Sequence, residues 1–379
     1  MKKICPICKR PLFDEPLVKL ENMPSSAQGF LTEEELGRDR GEELSVYQCS
    51  GCGTVQLACA PVPYYRKVIR ACGFSQEMAA FRRKQFAGFI RKFGLENKKI
   101  LEPGCGRGEF LAIMNEMPVS AYGIEYSGAA VGECLKKGLR VSRGFLEKGL
   151  SRVPVGPFDA FYMLSSLEHL PDINSSLDVL KDNLKPEACG LVEVPDFGMI
   201  LKRGLFSEFI RDHLFYFSKD TLTKTLGING FEVLSCGPVW HDYILSAEVR
   251  RKRPEDFSVL EKKLGDTASA ARKLLNIYGR REIAVWGAGH QALAFISVSR
   301  IADRIKYIVD SAAFKQNLYS PASHIKIVSP DTLKTEPPEA LIAMAGSYTG
   351  EICALMKENY PGIKVFVLTE KGLEASGTV

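Results

Sequence analysis

The sequence predicts an α/β protein in which two Rossmann-like units follow a small module that carries paired cysteines. Short apolar strands alternate with helical patterns in two successive series, and each series opens with a strand that runs into a glycine-rich turn. Cysteines and prolines are concentrated in the first eighty residues, where long periodic runs are few. The 379 residues are enough for two or three domains at roughly 150 residues each. We therefore expect domains at residues 1–80, 81–250 and 251–379.

The composition indicates a globular protein with neither a membrane nor a nucleic-acid partner. The chain is 45% hydrophobic and 25% charged. Its longest apolar stretch, residues 283–298, contains His290 and Gln291 and predicts a buried strand, turn and helix rather than a membrane span. No apolar segment of a signal peptide follows the basic N-terminus, so we expect a cytoplasmic protein. The net charge of +5 is small and dispersed, unlike the clustered basic face of a nucleic-acid-binding protein.

Two C-x-x-C pairs, Cys5 with Cys8 and Cys49 with Cys52, mark the N-terminal module. Each pair can direct two thiolates to one ion, and two pairs complete a four-thiolate zinc site that leaves no position open for a substrate. Such a structural ion would stabilise a segment that has little core of its own. Two unrelated redox or buried pairs, or an iron-sulfur cluster, also fit these cysteines. Cys59 is interpreted as a spare thiol.

The middle domain begins with a helical pattern from about Met78 to Phe93. Its predicted strands are 98–102, 121–125, 159–164, 190–194 and 231–234. A charged segment with a proline, residues 250–256, predicts the end of this domain. A helix to about residue 278 follows, and the second series then has predicted strands at 282–286, 306–309, 340–343 and 364–368.

The first glycine turn has the pattern E-x-G-x-G-x-G from Glu102 to Gly108, between a strand and a helix. Glycines permit a tight turn and a close approach of the backbone to a ligand. Glu102 can face the amino-acid end of S-adenosylmethionine, and Glu125, at the end of the next strand, can accept both ribose hydroxyls. A dinucleotide enzyme is the alternative, but it would normally lack the acid before the glycines. The residues expected to bind S-adenosylmethionine are Glu102, Gly104, Gly106, Gly108, Glu125, Tyr126 and Ser165.

The strand predicted at Asp159–Leu164 begins at the pattern F-D-x-apolar and leads into L-E-H-L, which resembles the later motifs of class I methyltransferases. With the glycine turn and Glu125, this segment predicts a class I methyltransferase core. Glu168 and His169 within it are expected in supporting or structural positions more often than in catalytic ones.

His213 is one of five histidines, and it lies between a carboxylate, Asp212, and an aromatic run at 215–217. An imidazole with a pKa near neutrality is the usual general base for removing a proton from a carbon or oxygen acid. A histidine hydrogen-bonded within the core is the alternative.

The order of these parts resembles the three-domain, S-adenosylmethionine-dependent C-methyltransferases that act on nucleotide-linked ketosugars. The segments Asn22–Pro24 and Tyr307–Ile325 also look like that family. The resemblance implies that His213 removes the proton beside the keto group, that Asp212 orients it, and that Tyr65 donates a hydrogen bond near the enolate oxygen. It further implies a zinc ion on the four paired cysteines and a small-molecule acceptor, a nucleotide-linked sugar.

Two segments depart from that family's pattern, Val239–Glu248 and Met344–Tyr348, and both would lie near the substrate. Methylation of an oxygen or nitrogen of a sugar or another small metabolite is therefore the alternative reaction. A zinc-organised protein that senses S-adenosylmethionine is a third hypothesis. The second glycine turn, residues 285–291, is weak evidence for NAD binding. The resemblance implies that its domain cradles a nucleotide diphosphate or shapes the acceptor pocket. A turn that serves only packing is the alternative.

Overall fold

The computed structural model describes residues 3–67, 75–149, 153–369 and 372–376. The chain divides into two compact units, Met1–Arg253 and Pro254–Val379. The division lies inside the charged segment at residues 250–256. Within the described ranges, no helix is both long enough and apolar enough to cross a membrane.

The first unit alternates strands and helices from the glycine turn onward, as the sequence predicts. Its strands are β1 (Val18–Met23), β2 (Glu42–Gln48), β3 (Val55–Leu57), β4 (Lys99–Pro103), β5 (Ser120–Glu125), β6 (Val141–Arg143), β7 (Phe158–Leu164), β8 (Leu184–Pro195), β9 (Phe215–Tyr216), β10 (Phe231–Val239) and β11 (Ile244–Arg251). Its helices are α1 (Gln76–Phe93), α2 (Glu109–Asn115), α3 (Gly128–Lys136), α4 (Ile173–Asp182), α5 (Phe197–Arg203) and α6 (Lys219–Ile228). The five predicted strands of the middle domain are confirmed as β4, β5, β7, β8 and β10.

Seven of these strands form the central sheet in the order β10-β11-β8-β7-β4-β5-β6. The pairs from β8 to β6 are parallel, whereas β10, β11 and β8 pair in an antiparallel manner. The central strands β4 and β7 are almost continuously buried, as expected where both faces of a sheet are covered. The carboxyl ends of β4, β5 and β7 meet at one edge of the sheet, so the glycine turn, Glu125 and Ser165 lie there together.

Helix α1 has the apolar face that its sequence predicts. Ser75 caps its N-terminus by accepting a hydrogen bond from the backbone N–H of Met78, and Gly94 ends it in the left-handed conformation. Phe86 and Phe89 are buried between this helix and the central sheet. The helix therefore starts two residues before its predicted first residue and ends where predicted.

The N-terminal segment packs into the core of the first unit. Its sheet has the order β1-β2-β3-β9, with every pair antiparallel. The last of these strands, β9, comes from the middle domain and places Tyr216 opposite Val55. Ile7 and Leu12 belong to the same buried cluster as Phe158 of the central sheet. The cysteine-bearing segment and the central sheet thus share one core, although the sequence analysis divides them at residue 80.

The second unit is a separate α/β layer structure. Its strands are β12 (Ile283–Trp286), β13 (Ile305–Val309), β14 (Ile327–Val328), β15 (Ala340–Ala343), β16 (Lys364–Thr369) and β17 (Gly372–Ala375), and its helices are α7 (Ser258–Leu275), α8 (His290–Ser299), α9 (Thr332–Thr335) and α10 (Thr349–Asn359). The sheet order is β14-β13-β12-β15-β16-β17, and all pairs except β16 with β17 are parallel. The apolar stretch at residues 283–298 is β12, a turn and most of α8, which confirms the prediction of a buried strand, turn and helix.

Candidate active site

A cavity of about 590 Å³ opens at the carboxyl edge of the central sheet in the first unit. Its wall combines backbone from the glycine turn with polar side chains from the loops that follow β5, β7 and α5. Eight of the ten residues predicted for cofactor binding or catalysis line it: Tyr65, Gly104, Gly106, Glu125, Tyr126, Ser165, Asp212 and His213. The structure therefore brings the predicted cofactor and catalytic residues to one place.

Glu102 and Gly108 are the two predicted residues that lie behind the cavity wall. Glu102 is buried, and its carboxylate accepts a 2.8 Å hydrogen bond from the hydroxyl of Tyr162. Gly108 adopts φ 80° immediately before α2, and a Cβ there would lie 2.5 Å from the Cδ1 atom of Leu139. Glu102 thus bonds to Tyr162 of the neighbouring strand β7, and the missing side chain at Gly108 lets the start of α2 approach Leu139 closely.

The turn itself is shaped by glycines in the left-handed region, with φ 70° at Gly104 and φ 55° at Gly106. A residue with a Cβ would be strained at either position. The N–H of Gly106 donates a 2.9 Å hydrogen bond to Oε2 of Glu125, and the N–H of Ser127 donates a 2.7 Å bond to Oε1. These two bonds fix the carboxylate of Glu125 beside the glycine backbone.

Tyr126 and Ser165 directly follow β5 and β7, the two strands that flank β4. Ser165 follows β7 with φ 49°, and its N–H donates a 2.8 Å hydrogen bond to the carbonyl of Glu193. The ring of Tyr126 meets that of Phe145 edge-on, with centroids 6.2 Å apart. Ser165 therefore contributes a polar group to the cavity lining, and Tyr126 contributes an aromatic ring.

The Asp212 side chain is held by the N-terminal segment. Its carboxylate accepts a 2.8 Å hydrogen bond from the N–H of Ala27 and another of 2.8 Å from the hydroxyl of Tyr64. In the described part of the chain, no hydrogen bond joins this carboxylate to the imidazole of His213. The Asp212 carboxylate is therefore bonded to the N-terminal segment, and its role in orienting His213 stays a prediction.

Tyr64 was missed in the sequence analysis, which placed the neighbouring Tyr65 in the site. Tyr65 does line the cavity, where its ring meets Phe145 edge-on at 5.8 Å and the guanidinium of Arg66 lies 4.7 Å from its centroid. Burial raises the pKa of Tyr65. The sequence offers two adjacent tyrosines, and no local pattern shows that one contacts Asp212 while the other faces the cavity.

A cluster of Glu168, which is buried, with the half-buried His169 and His213 lies in the cavity wall. The possible ligand atoms of these three side chains are all within 4.8 Å of one another. The rings of His169 and His213 meet edge-on with centroids 4.7 Å apart, and Nδ1 of His169 lies 2.7 Å from the backbone carbonyl oxygen of Asp212. The sequence predicts supporting or structural positions for Glu168 and His169 more often than catalytic ones.

Burial keeps this cluster uncharged at neutral pH. It raises the pKa of Glu168 to about 8 and lowers the pKa of His169. Burial, together with repulsion from His169, lowers the pKa of His213 to about 3. Both imidazoles therefore have free lone pairs at neutral pH.

The four paired cysteines converge at a second place in the first unit. The Sγ atoms of Cys5, Cys8, Cys49 and Cys52 are all within 4.8 Å of one another. Cys5 and Cys52 are separated by 3.8 Å between sulfurs, and Cys8 and Cys49 by 3.3 Å. A tetrahedral ion with sulfur ligands at about 2.3 Å requires sulfur separations of about 3.8 Å. The cluster thus fits a closed four-thiolate metal site.

Two family models match the chain. Residues 78–236 match a model described as a methyltransferase domain. Residues 247–368 match a model described as a C-methyltransferase C-terminal domain. No curated protein matched the sequence.

Several solved structures are similar to part of the chain. A magnesium protoporphyrin IX methyltransferase from Synechocystis with bound SAH has 18% identity and a TM-score of 0.38, covering 49% of this chain and 91% of that one. A SAM-dependent methyltransferase from Aquifex aeolicus has 17% identity and a TM-score of 0.35, covering 48% and 100%. The amino pentose methyltransferase CalS10 from Micromonospora echinaspora has 15% identity and a TM-score of 0.36, covering 49% and 100%.

Proposed function

We propose that this S-adenosylmethionine-dependent methyltransferase transfers its methyl group to a carbon next to the keto group of a nucleotide-linked sugar. The observation that carries the proposal is the match of residues 247–368 to a C-methyltransferase C-terminal domain, directly after the methyltransferase domain. The sugar is suggested by the resemblance of the whole chain to ketosugar C-methyltransferases. The cavity supports it because imidazoles and a tyrosine face the same space as the glycine turn.

His213 is the proposed base for this reaction. It takes the proton from the carbon beside the ketone, and the electron pair of the broken C–H bond forms the enolate. The enolate carbon then bonds to the methyl group, and the pair of the broken sulfur–carbon bond stays on sulfur. Burial and repulsion from His169 lower the pKa of His213 to about 3. A developing enolate charge would raise this pKa because a nearby anion favours the imidazolium.

The other cavity residues receive roles that match their positions. Glu125, fixed by Gly106 and Ser127, accepts the ribose hydroxyls of the methyl donor. Gly104 and Gly106 let the backbone approach the donor, and Tyr126 and Ser165 border it. Glu102 does not line the cavity, so its proposed contribution is made through the glycine turn that follows it and not by direct contact with the donor. Tyr65 donates a hydrogen bond to the enolate oxygen, which is the kind of donor that stabilises charge developing in a transition state.

The cysteine cluster is proposed to hold a structural zinc ion. Four sulfurs at tetrahedral spacing leave no position for a substrate, so the ion would stabilise the fold.

The proposal is tested by transfer of a carbon-13 methyl group from labelled S-adenosylmethionine to nucleoside-diphosphate-linked 4-ketohexoses, followed by carbon NMR. We expect the label to appear bonded to carbon, and the acceptor's neighbouring C–H to exchange with deuterated water. His213→Asn is expected to abolish both reactions while the affinity for S-adenosylhomocysteine is unchanged. Label on oxygen or nitrogen would instead establish the alternative reaction, and unchanged transfer by His213→Asn would refute the role of the histidine.

A further inference from the structure

Glu168 is a buried carboxyl group without a hydrogen-bond partner in the described part of the chain. Its side chain is 1% exposed, and neither Oε1 nor Oε2 is paired. Buried polar groups are otherwise almost always paired, because an unpaired one forfeits the hydrogen bonds that water would supply. The proposed methyl transfer gives Glu168 no role. One of its oxygens nevertheless lies within 4.8 Å of a ring nitrogen of His169 and of a ring nitrogen of His213.

We propose that Glu168 is a positioning residue that links His169 to His213 by hydrogen bonds and so fixes which ring nitrogen of His213 carries hydrogen. This inference rests on the proposed base role of His213. A neutral imidazole has one N–H and one lone pair, and only the nitrogen with the lone pair can accept a proton. The tautomer is set by the hydrogen bond that the other nitrogen makes. A base therefore needs a partner that accepts the N–H on the side away from the substrate.

The state of His169 sets the direction of the hydrogen-bond chain. Its Nδ1 lies 2.7 Å from the carbonyl oxygen of Asp212, which can only accept, so Nδ1 carries the hydrogen. Burial lowers the pKa of His169, so the ring is neutral at pH 7 and Nε2 has the lone pair. Nε2 lies 4.0 Å from Oε1 of Glu168, and a side-chain shift of about 1 Å would shorten this separation to a hydrogen bond of about 2.9 Å. Glu168 must be the donor in that bond.

The protonated carboxyl of Glu168 can bond to both histidines. Burial raises its pKa to about 8, so it carries its hydrogen at neutral pH. The O–H then donates to Nε2 of His169, and the carbonyl oxygen accepts from the N–H of His213. This arrangement leaves the lone pair of His213 on its other nitrogen. The bond from His213 persists after that nitrogen gains the proton of the substrate, because an imidazolium donates from both nitrogens.

The test is nitrogen-15 NMR of the full-length protein labelled in its histidine rings, since the chemical shifts of the ring nitrogens distinguish the two tautomers. His213→Asn identifies the signals of His213 among the five histidines. We expect one tautomer in the wild type and in Glu168→Gln, because an amide also offers an N–H donor and a carbonyl acceptor. Glu168→Leu offers neither and should give a mixture. Glu208→Leu is the matched control: Glu208 lines the same cavity but bonds to Tyr243, so the His213 signals should not change.

A second readout follows the exchange of the acceptor's C–H with deuterated water. Glu168→Leu should slow this exchange about tenfold or more, because a catalytic histidine in the wrong tautomer cannot accept the proton. Glu168→Gln should keep the wild-type rate, and the KM for S-adenosylmethionine should be the same in all three proteins. Binding of S-adenosylhomocysteine by each variant shows that the variant is folded.

A single, unchanged tautomer of His213 in Glu168→Leu would overturn the inference. Loss of the tautomer in Glu168→Gln as well would also overturn it, because the neutral amide should replace the neutral carboxyl. The NMR sample contains neither methyl donor nor acceptor. Failure of the carbon-13 experiment would therefore refute the proposed function without changing the tautomers, so the two failures are distinguishable.

Discussion

The hydroxyl of Tyr64 donates a 2.8 Å hydrogen bond to the carboxylate of Asp212, the residue before His213. The other carboxylate oxygen accepts from the N–H of Ala27, which lies between the two cysteine pairs. The N-terminal segment therefore fixes a loop of the cavity from outside the central sheet. The position of the imidazole depends on residues that a methyltransferase core alone would not supply.

We expect Tyr64→Phe to lower the free energy of unfolding by about 1 kcal/mol, because Asp212 loses a donor in a half-buried place. Turnover should fall as the loop of His213 becomes less ordered, while the affinity for S-adenosylhomocysteine is retained. Urea unfolding and calorimetric binding measure the two effects. Tyr65→Phe is the control: its stability should match the wild type, and equal destabilisation by both substitutions would contradict the assignment.

Glu125→Ala is expected to weaken S-adenosylhomocysteine binding ten- to a hundredfold, or about 1.5–3 kcal/mol for hydrogen bonds to a charged group. The carboxylate is held by Gly106 and Ser127 beside the glycine turn, where the ribose is proposed to lie. Isothermal titration calorimetry gives the affinity. Glu133→Ala removes a carboxylate of α3 that pairs at the surface with Arg107 and should leave the affinity unchanged. An unaltered affinity in Glu125→Ala would exclude the ribose contact.

The ion pair of Arg82 and Glu193 is almost completely buried, and Gln85 also donates to Glu193. We expect Arg82→Met to destabilise the first unit by about 3–5 kcal/mol, because it leaves an unpaired charge in the core. The double variant Arg82→Met/Glu193→Leu should recover much of this loss. Arg83→Met, one residue along the same helix, breaks an exposed pair and should cost less than about 1 kcal/mol. Denaturant unfolding of the wild type and the three variants gives the free energies of unfolding. The prediction is wrong if the double variant is no more stable than Arg82→Met.

Metal analysis of the purified protein should find one zinc ion per chain, bound by the paired cysteines. Substitution by Co²⁺ should give the absorption of tetrahedral thiolate coordination. Removal by a chelator should unfold the N-terminal segment, because the ion contributes to its folding free energy. Cys59→Ser should keep the metal, whereas Cys49→Ser should lose it. Retention of stoichiometric zinc by Cys49→Ser would disprove the four-cysteine site.

Protonation of Asp310 should lower the free energy of unfolding of the second unit at acid pH. Burial alone would raise the pKa of its carboxyl, but Lys315 and the N–H groups of Ala312 and Ala288 outweigh burial and lower it. A lowered pKa means that the stabilisation is complete at neutral pH and is lost as the pH falls through the pKa of the folded state. Asp310→Asn should therefore cost about 1 kcal/mol at pH 7. Thermal unfolding between neutral and acid pH should show the difference narrowing, and a constant difference would refute this account.

Local sequence patterns predicted the parts of the fold that depend on neighbours in the chain. The helix α1, the parallel strands and the glycine turn follow from the spacing of apolar residues and glycines. The convergence of Cys8 with Cys49 was predicted from pair spacing alone. The helix, the strands and the turn are specified within a few residues, whereas Cys8 and Cys49 were predicted to converge because two C-x-x-C pairs complete one tetrahedral site.

Contacts between distant segments were not predictable in the same way. The strand β11 was missed, although it joins β8 and β10 in an antiparallel arrangement at one side of the central sheet. The bonds of Asp212 to Ala27 and Tyr64 connect segments that no periodic pattern relates. The unpaired state of Glu168 is likewise a property of burial in three dimensions, and the L-E-H-L motif does not reveal it.

The pairing of β3 with β9 has a consequence for how the chain is made. A ribosome completes β1, β2 and β3 long before it reaches β9, so the nascent N-terminal sheet has an open edge throughout synthesis of the central strands. An unpaired edge can recruit strands from other chains. The strand that closes this edge, Phe215–Tyr216, begins two residues after His213 in the chain. A polypeptide released before β9 would keep this edge exposed, so we expect such a truncated product to be prone to aggregate.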